Sequence, residues 1–507
     1  MALAAGSGSC GSCGAPGAEF ACSRCKAVRF CGPECFKAGW KAHKPTCRAP
    51  ALAPTASEPE RRAPAPKPAP AASRQDPAAA ASPAAASAAS GSTVIAEGRI
   101  FVSVAAYCDP ELPLTLRSLL LHAEHPERLF LGLVWQGPDD PLRAEDLKDI
   151  AKLWGVPVEQ ASSASTGGML PLPGHRRVTW DALLGGRIRL VCMPPEEARG
   201  PCWARYLAQL LWKGEELYLQ LDSHMRFVPQ WDRHMRQQLA WCGEWSAKPI
   251  LCSYGRGYAR SYPPDWVPPG DISPCLNCAG FFDDTNIINI RYRTLKSDWM
   301  CPQKCFFWSA HFSFSSSEVL REVPYDPHLL MLFYGEEILM SVRFFTHGWD
   351  MYSPSRGLVY HLWERDYRRV YFFDNKELYA DLAKPSRRRL HWQLGSGPEP
   401  FFDEVVEDWP LPGDKKKRKH DSDPFVMGTV RTVQDYEDAA DVSFKGRRLG
   451  ALALRGGAPS EFDFMAQESG DQSETEARCR QKNSTNMGAA GRKAGGGSSD
   501  DSDDEVN

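Results

Sequence analysis

The segment Gly214-Glu-Glu-Leu-Tyr-Leu-Gln-Leu-Asp-Ser-His-Met-Arg-Phe-Val-Pro-Gln-Trp231 combines a strand pattern with a candidate metal-binding motif. Its apolar stretch Leu217–Leu221 is typical of a buried β-strand, and Asp222 and His224 follow at once. A turn beyond the strand end can aim these two side chains at one ion, and a carboxylate with an imidazole favours manganese over calcium. The alternative is a turn-capping aspartate beside a polar surface histidine.

Before this segment, apolar strand patterns alternate with helical patterns. The predicted strands are Ile100–Ala106, Leu129–Trp135 and Arg187–Cys192, and the predicted helices are Leu112–Leu121, 141–154 and 201–213. Such alternation predicts an α/β fold with a mixed, mostly parallel sheet. Functional sites in these folds lie beyond the carboxyl ends of the strands, where Asp222 stands.

Composition divides the 507 residues into four segments. These are a cysteine-rich segment 1–48, an Ala/Pro-rich linker 49–96, a large aromatic-rich domain 97–457 and an acidic tail 458–507. We expect the linker and the tail to be disordered, because neither can bury enough apolar surface to offset the entropy of ordering.

The net charge of −3 excludes a globally basic nucleic-acid binder, so no direct nucleic-acid contact is expected. We find no secretory signal and no apolar run of about 18 residues, so no membrane partner is expected. These features favour a reducing compartment, the cytoplasm, where dense cysteine clusters more often bind metal.

The first segment contains eight potential zinc ligands in ordered spacing. They are Cys10, Cys13, Cys22, Cys25, Cys31, Cys35, His43 and Cys47. Eight such ligands predict two closed tetrahedral zinc sites, which supply much of the folding free energy of so short a segment. The alternative is a disulfide knot or scattered structural cysteines.

Residues 10–47 resemble a MYND-type zinc finger. The resemblance implies interleaved ligands, with one zinc on Cys10, Cys13, Cys31 and Cys35 and the other on Cys22, Cys25, His43 and Cys47. It also implies a peptide partner, usually a short proline-containing segment, and no catalysis.

Motifs in the large domain carry a second resemblance. Besides the opening segment they are Ile100-Phe-Val-Ser-Val-Ala-Ala-Tyr-Cys-Asp109, Phe333-Tyr-Gly-Glu-Glu-Ile338, Gly357-Leu-Val-Tyr-His-Leu-Trp363 and the piece from Met427 to Phe444-Lys-Gly-Arg. Together, from about residue 99 to about residue 457, they resemble the cytosolic hydroxyproline N-acetylglucosaminyltransferases that modify the Skp-type adaptor of SCF ubiquitin ligases.

This resemblance implies a GT-A-like fold, UDP-GlcNAc as donor, and retaining transfer to a hydroxyprolyl side chain. It further implies a divalent metal, manganese or magnesium, held by Asp222 and His224 with His361 as third ligand. The chemistry agrees, because a metal on the diphosphate neutralises the charge that develops as UDP departs.

Five further residues are candidates for the donor site and for catalysis. Asp109 is a candidate for contact with the nucleoside, and Trp203 and Arg205 lie on the helix that starts near Pro201. Arg205 can pair with the diphosphate, or it can form a surface salt bridge. Glu336 and Glu337 are candidate carboxylates near the acceptor, of which at most one should act; the alternative is acids favoured by a helix N-terminus.

The chain departs from the family at Tyr107-Cys108-Asp109, where Tyr-Arg-Asp is common. The change removes a cation near the predicted nucleotide site. It makes a catalytically inactive scaffold the main alternative, although the three metal ligands are intact.

A lysine methyltransferase with a MYND finger is a weaker alternative. Tyr334–Ile338 superficially matches a motif of that class, but the chain contains no Asn-His pair.

Two other motifs allow two interpretations each. Cys275, Cys278, Cys301 and Cys305 have the spacing of a zinc ribbon, or they are thiols in a loop and a core. The basic run Lys415–Lys419 is a nuclear import signal, which adds the nucleus as a location, or a solvated loop. The remaining cysteines, Cys108, Cys192, Cys202, Cys242 and Cys252, are predicted core thiols.

Overall fold

The computed structural model describes residues 95–162, 164–171, 177–269, 273–295, 301–397 and 423–458, with Cys13, Phe20–Ala21, Arg29–Phe30 and Cys35. The chain divides into two compact units, Met1–Ser92 and Thr93–Asn507. Several predictions lie outside the described residues: the zinc ligands Cys10, Cys22, Cys25, Cys31, His43 and Cys47, nearly all of the linker, the tail beyond Ala458 and the run Lys415–Lys419.

The described residues form nineteen strands. They are β1 Phe20–Ala21, β2 Arg29–Phe30, β3 Ile100–Tyr107, β4 Leu129–Gln136, β5 Ala164–Pro171, β6 Arg177–Leu183, β7 Ile188–Met193, β8 Leu217–Asp222, β9 Met225–Phe227, β10 Pro249–Cys252, β11 Arg256–Gly257, β12 Cys275–Phe282, β13 Ile288–Thr294, β14 Gln303–Cys305, β15 Phe312–Ser316, β16 Asp350–Ser353, β17 Val359–His361, β18 Val442–Ser443 and β19 Arg448–Leu449.

Nine α-helices accompany them in the described part of the chain. They are α1 Leu112–Leu121, α2 Ala144–Trp154, α3 Pro201–Leu210, α4 Trp231–Cys242, α5 Val319–Glu322, α6 Glu336–Thr346, α7 Tyr371–Asp374, α8 Lys376–Gln393 and α9 Val433–Ala440. None of them combines the length and the apolar composition that a bilayer-spanning segment requires.

A ten-stranded sheet forms the centre of the second unit, in the order β14-β16-β10-β15-β8-β3-β4-β7-β6-β5. The sheet is mixed, as predicted, but less of it is parallel than predicted. The central strands β8, β3, β4 and β7 are parallel, as are β10 and β16, and the other five pairings are antiparallel. Helices α1, α2 and α3 lie between the central strands in sequence and provide the crossovers that parallel pairing requires.

Both faces of the central sheet are covered. Alternate residues of β3 illustrate this, since Ile100 and Val102 pack in the cluster with α1, α2 and α4, whereas Phe101 packs in the cluster with α3 and α6. A strand covered on both faces reads as a continuous apolar run, which explains why the sequence pattern of β3 was clear.

The four later cysteines do not form a zinc ribbon. Cys275 and Cys278 are three residues apart on β12, so their side chains leave opposite faces of the strand. Within the described residues, only one group of three or more side chains has metal-binding geometry, and it contains no cysteine. All four thiols are buried, in agreement with the core interpretation.

Two of the predicted core thiols are less buried than expected. Cys192 is exposed and Cys108 is half-buried, whereas Cys202, Cys242 and Cys252 are buried. Cys192 lies on the same face of β7 as buried Ile188 and Leu190, next to the end of the strand.

Candidate active site

A cavity lies where the chain order of the sheet reverses. Strands β4 and β7 follow on one side of β3, whereas β8 lies on its other side. Open α/β sheets form a crevice at such a point, beyond the carboxyl ends of the strands. The last residues of β3, β4 and β8, namely Tyr107, Gln136 and Asp222, all line one cavity of about 190 Å³.

The cavity contains the three predicted metal ligands. Asp222 ends β8, His224 follows in the turn to β9, and His361 ends β17, which pairs with β9. One ligand atom from each residue lies within 4.8 Å of those of the other two. Asp222 Oδ2 is 3.3 Å from His361 Nε2 and 3.8 Å from His224 Nε2.

The electrostatics of the cluster suit a metal ion. Burial opposes ionisation of Asp222, but Arg205 and the two histidines together hold its pKa well below the usual range. Burial also holds the pKa of His361 well below its usual range. An ionised carboxylate and a neutral imidazole are the forms that bind metal. A donor set of one carboxylate and two imidazoles fits a transition-metal ion such as manganese.

Asp109 lies behind this cluster and does not line the cavity. Its side chain is fully buried, and Oδ2 lies 2.6 Å from Nδ1 of His224. This placement does not support the predicted contact with a nucleoside. The sequence alone could not distinguish a carboxylate that contacts the nucleoside from one that lies behind the cluster. An aspartate just beyond β3 is compatible with both places.

Arg205 forms a buried double ion pair. Its guanidinium lies 2.7 Å from Asp222 Oδ1 and 2.9 Å from Glu336 Oε1, and only 7% of its side chain is exposed. The structure therefore replaces the surface salt bridge considered above with a buried one, and Arg205 also lines the cavity. The neighbouring Trp203 is buried in the core and does not line the cavity.

Both glutamates at the start of α6 line the cavity, and their surroundings differ. Glu336 is buried between Arg205 and Tyr325, whose hydroxyl donates to it at 2.6 Å. Glu337 accepts from the Tyr254 hydroxyl at 2.6 Å and from the Ala310 N–H at 3.0 Å. Burial raises the pKa of Glu336, and it raises the pKa of Glu337 to about 8.

The raised pKa of Glu337 predicts a measurable dependence of stability on pH. Between its ordinary value of 4.5 and about 8 the unfolded chain binds fewer protons at this group than the folded chain, so the free energy of unfolding falls as pH rises. In Glu337→Gln this part of the slope is absent, and the amide can donate to Tyr254. We expect the variant to gain a few kcal/mol relative to wild type between about pH 5 and pH 8. Urea unfolding at both values checks this; parallel curves for the two proteins would show that Glu337 has an ordinary pKa.

Sequence reasoning missed several residues of the cavity. His311 is buried, accepts from the Gly255 N–H through Nε2 at 2.9 Å, and has its ring 4.7 Å from that of His361. Burial lowers the pKa of His311 to about 4, so the ring is neutral. Trp363 lies against His361, with ring centroids 3.9 Å apart. Trp363 belongs to the same sequence motif as His361, which could have pointed to it. His311 stands alone before β15, a strand that the sequence pattern did not predict.

Two known protein families match parts of this chain. The family described as "Glycosyltransferase (GlcNAc)" matches residues 99–446, which is more than half of the chain. The chain belongs to this GlcNAc glycosyltransferase family. The MYND finger family matches residues 10–47, so the predicted finger and the predicted transferase class are both confirmed at the level of the family. Together with the mixed α/β sheet, they confirm the predicted fold class.

Two solved structures are similar to the transferase domain at low identity. GalNAc-T7, crystallised with UDP, GalNAc and Mn2+, is 12% identical with a TM-score of 0.39, and the match covers 67% of this chain and 56% of that one. TarS of S. aureus is 11% identical with a TM-score of 0.31, covering 60% of this chain and 41% of that one. This chain therefore spans about half the length of these structures. A search of curated protein sequences finds no match.

Proposed function

We propose that this protein transfers N-acetylglucosamine from UDP-GlcNAc to a hydroxyproline side chain of a protein, with retention of configuration and with a divalent metal. The observation that carries the proposal is the cluster Asp222, His224 and His361 at the carboxyl ends of the central strands, inside a domain of the GlcNAc glycosyltransferase family. The motifs that resemble the hydroxyproline transferases support the acceptor.

Asp222, His224 and His361 would hold manganese or magnesium. When bound there, the ion would supply positive charge against the departing UDP. Arg205 holds one oxygen of Asp222 and thereby leaves the other directed to the two histidines. Its guanidinium also places a second positive charge in the cavity wall.

The two glutamates then have separate roles. Glu336 is occupied by Arg205 and Tyr325, so its role is to fix the guanidinium. Glu337 is the less buried of the two and, with a pKa of about 8, is mostly protonated at neutral pH. A protonated carboxyl can both donate to and accept from sugar hydroxyls. We therefore assign contact with the transferred sugar to Glu337.

The finger and the location complete the proposal. The MYND match supports two zinc ions and a peptide partner, which would recruit the acceptor protein or tether the enzyme to a complex. A Skp-type adaptor of an SCF ligase is the acceptor that the resemblance suggests. That acceptor requires a cytoplasmic enzyme, or a nuclear one if Lys415–Lys419 is an import signal.

The test uses the full chain with Mn2+ and a panel of UDP-sugars. We expect UDP release with UDP-GlcNAc that rises when a hydroxyproline peptide is added and does not rise with the matched proline peptide. NMR of the glycopeptide then gives the anomeric configuration, for which we expect the α-anomer of the donor to persist.

Two results would change the conclusion. UDP release that rises equally with both peptides would show that the hydroxyl of hydroxyproline is not the acceptor group. Absence of binding or turnover with every UDP-sugar would favour the scaffold alternative, in which the MYND finger is the working part.

A further inference from the structure

The carboxylate behind the metal cluster has four hydrogen-bonding neighbours. Oδ2 of Asp109 lies 2.6 Å from His224 Nδ1 and accepts from the Ser223 hydroxyl at 2.6 Å. Oδ1 accepts from the Glu111 N–H and from the Tyr367 hydroxyl, both at 3.1 Å. Asp109 is fully buried, so no water competes for these positions.

These contacts determine the tautomer of His224. Both oxygens of Asp109 already accept hydrogen bonds, from the Ser223 hydroxyl, the Glu111 N–H and the Tyr367 hydroxyl, so the carboxylate acts as an acceptor toward His224 as well. The proton of a neutral His224 therefore lies on Nδ1. The lone pair is left on Nε2, the nitrogen that lies 3.8 Å from Asp222 Oδ2 in the metal cluster.

We propose that Asp109 is a positioning residue that holds His224 in the Nδ1–H tautomer and directs Nε2 at the metal. The assignment rests on the proposed function in so far as a metal binds to the cluster. A carboxylate behind a metal-bound imidazole fixes the ring orientation and raises its basicity, and its loss commonly weakens metal binding by about 10- to 100-fold.

The same carboxylate also holds the chain that follows the third ligand. Tyr367 lies six residues beyond His361, and its hydroxyl donates a hydrogen bond to Asp109. The adjacent Arg368 lies 3.6 Å from Asp109 Oδ2 and lines the cavity. Asp109 thus connects the ligand that follows β8 with the segment that follows β17, two parts of the site that are far apart in sequence.

Asp109→Asn tests the proposal because its amide cannot satisfy all four neighbours. With Nδ2 toward His224 the ring must shift its proton to Nε2; with Nδ2 toward Glu111 two N–H groups face each other. We expect Mn2+ to bind about 10- to 100-fold more weakly by titration calorimetry on the full chain. The matched control is Asp232→Asn, another fully buried carboxylate, which accepts two backbone N–H groups outside the cavity. It should leave Mn2+ binding unchanged.

A second measurement needs no metal. In metal-free protein labelled with 15N-histidine, at a pH where the ring is neutral, His224 should show the Nδ1–H tautomer, its signal being assigned by its loss in His224→Gln. An Nε2–H tautomer in wild type would overturn the proposal, as would equal Mn2+ affinity of wild type and Asp109→Asn, or equal weakening by Asp232→Asn. If wild type binds neither Mn2+ nor Mg2+, the proposed function fails, and the tautomer still decides the role of Asp109.

Discussion

Asp222→Asn is expected to reduce metal-dependent turnover of UDP-GlcNAc severely while leaving the domain folded. Asp222 is the only anionic ligand of the cluster, and its Oδ2 faces both histidines. The amide that replaces it is a weak ligand for a divalent cation and cannot balance its charge. We expect kcat to fall on the order of a thousandfold, the upper range for removing one preorganised charge-stabilising group.

The fold should survive because Arg205 keeps its second partner. In Asp222→Asn the guanidinium remains 2.9 Å from Glu336, so no buried cation is left without an anion. Steady-state UDP release gives the kinetic effect, and urea unfolding shows whether the domain is intact. The matched control is Asp350→Asn, which also removes a partly buried carboxylate paired with an arginine, outside the cavity. Full Mn2+-dependent activity in Asp222→Asn would remove Asp222 from the metal site.

The central layer of the fold could be predicted because its signals are local. Helix α1 spans Leu112–Leu121 in both the prediction and the structure. Its periodic apolar face is visible within these ten residues of sequence alone. The four central strands were found to within one residue at each end, because strands buried on both faces are continuous apolar runs. The other six strands of the sheet, β5, β6, β10, β14, β15 and β16, were not predicted. Strands β10, β14, β15 and β16 pair with partners distant in sequence. Strands β5 and β6 are neighbours in sequence, but few of their residues are apolar and β6 is partly exposed along its length, so they lack the pattern of a buried strand.

The site was predicted in part for the same reason. Asp222, His224 and His361 each stand at the end of a recognisable strand, so a motif could point to them. The partners that set their chemistry do not have such signals. Asp109 and His224 are 115 positions apart, and Arg205 meets Asp222 through the packing of α3 against the sheet. Spacing alone also predicted that Glu336 and Glu337 would diverge, but both line the cavity at the first turn of α6.

Chelation of zinc is expected to unfold residues 1–48 and to leave the transferase domain intact. Structural zinc in small fingers contributes roughly 10–16 kcal/mol, which is folding free energy because such a segment has little core of its own. The transferase domain has two large apolar clusters, and the described residues offer no cysteine group for zinc. Its stability should therefore not depend on that metal.

Limited trypsin digestion of the full chain measures both parts in one experiment. Residues 1–48 contain potential cleavage sites such as Arg24, Lys26, Lys37 and Lys41. We expect these sites to be cut rapidly after treatment with a zinc-selective chelator in excess Mn2+, and to be protected again when zinc is restored. A fragment that spans the transferase domain should persist throughout. Loss of that fragment on chelation would place a structural zinc in the large domain, and protection of the finger without zinc would favour disulfides at the eight-ligand cluster, because only a covalent framework could then replace the metal.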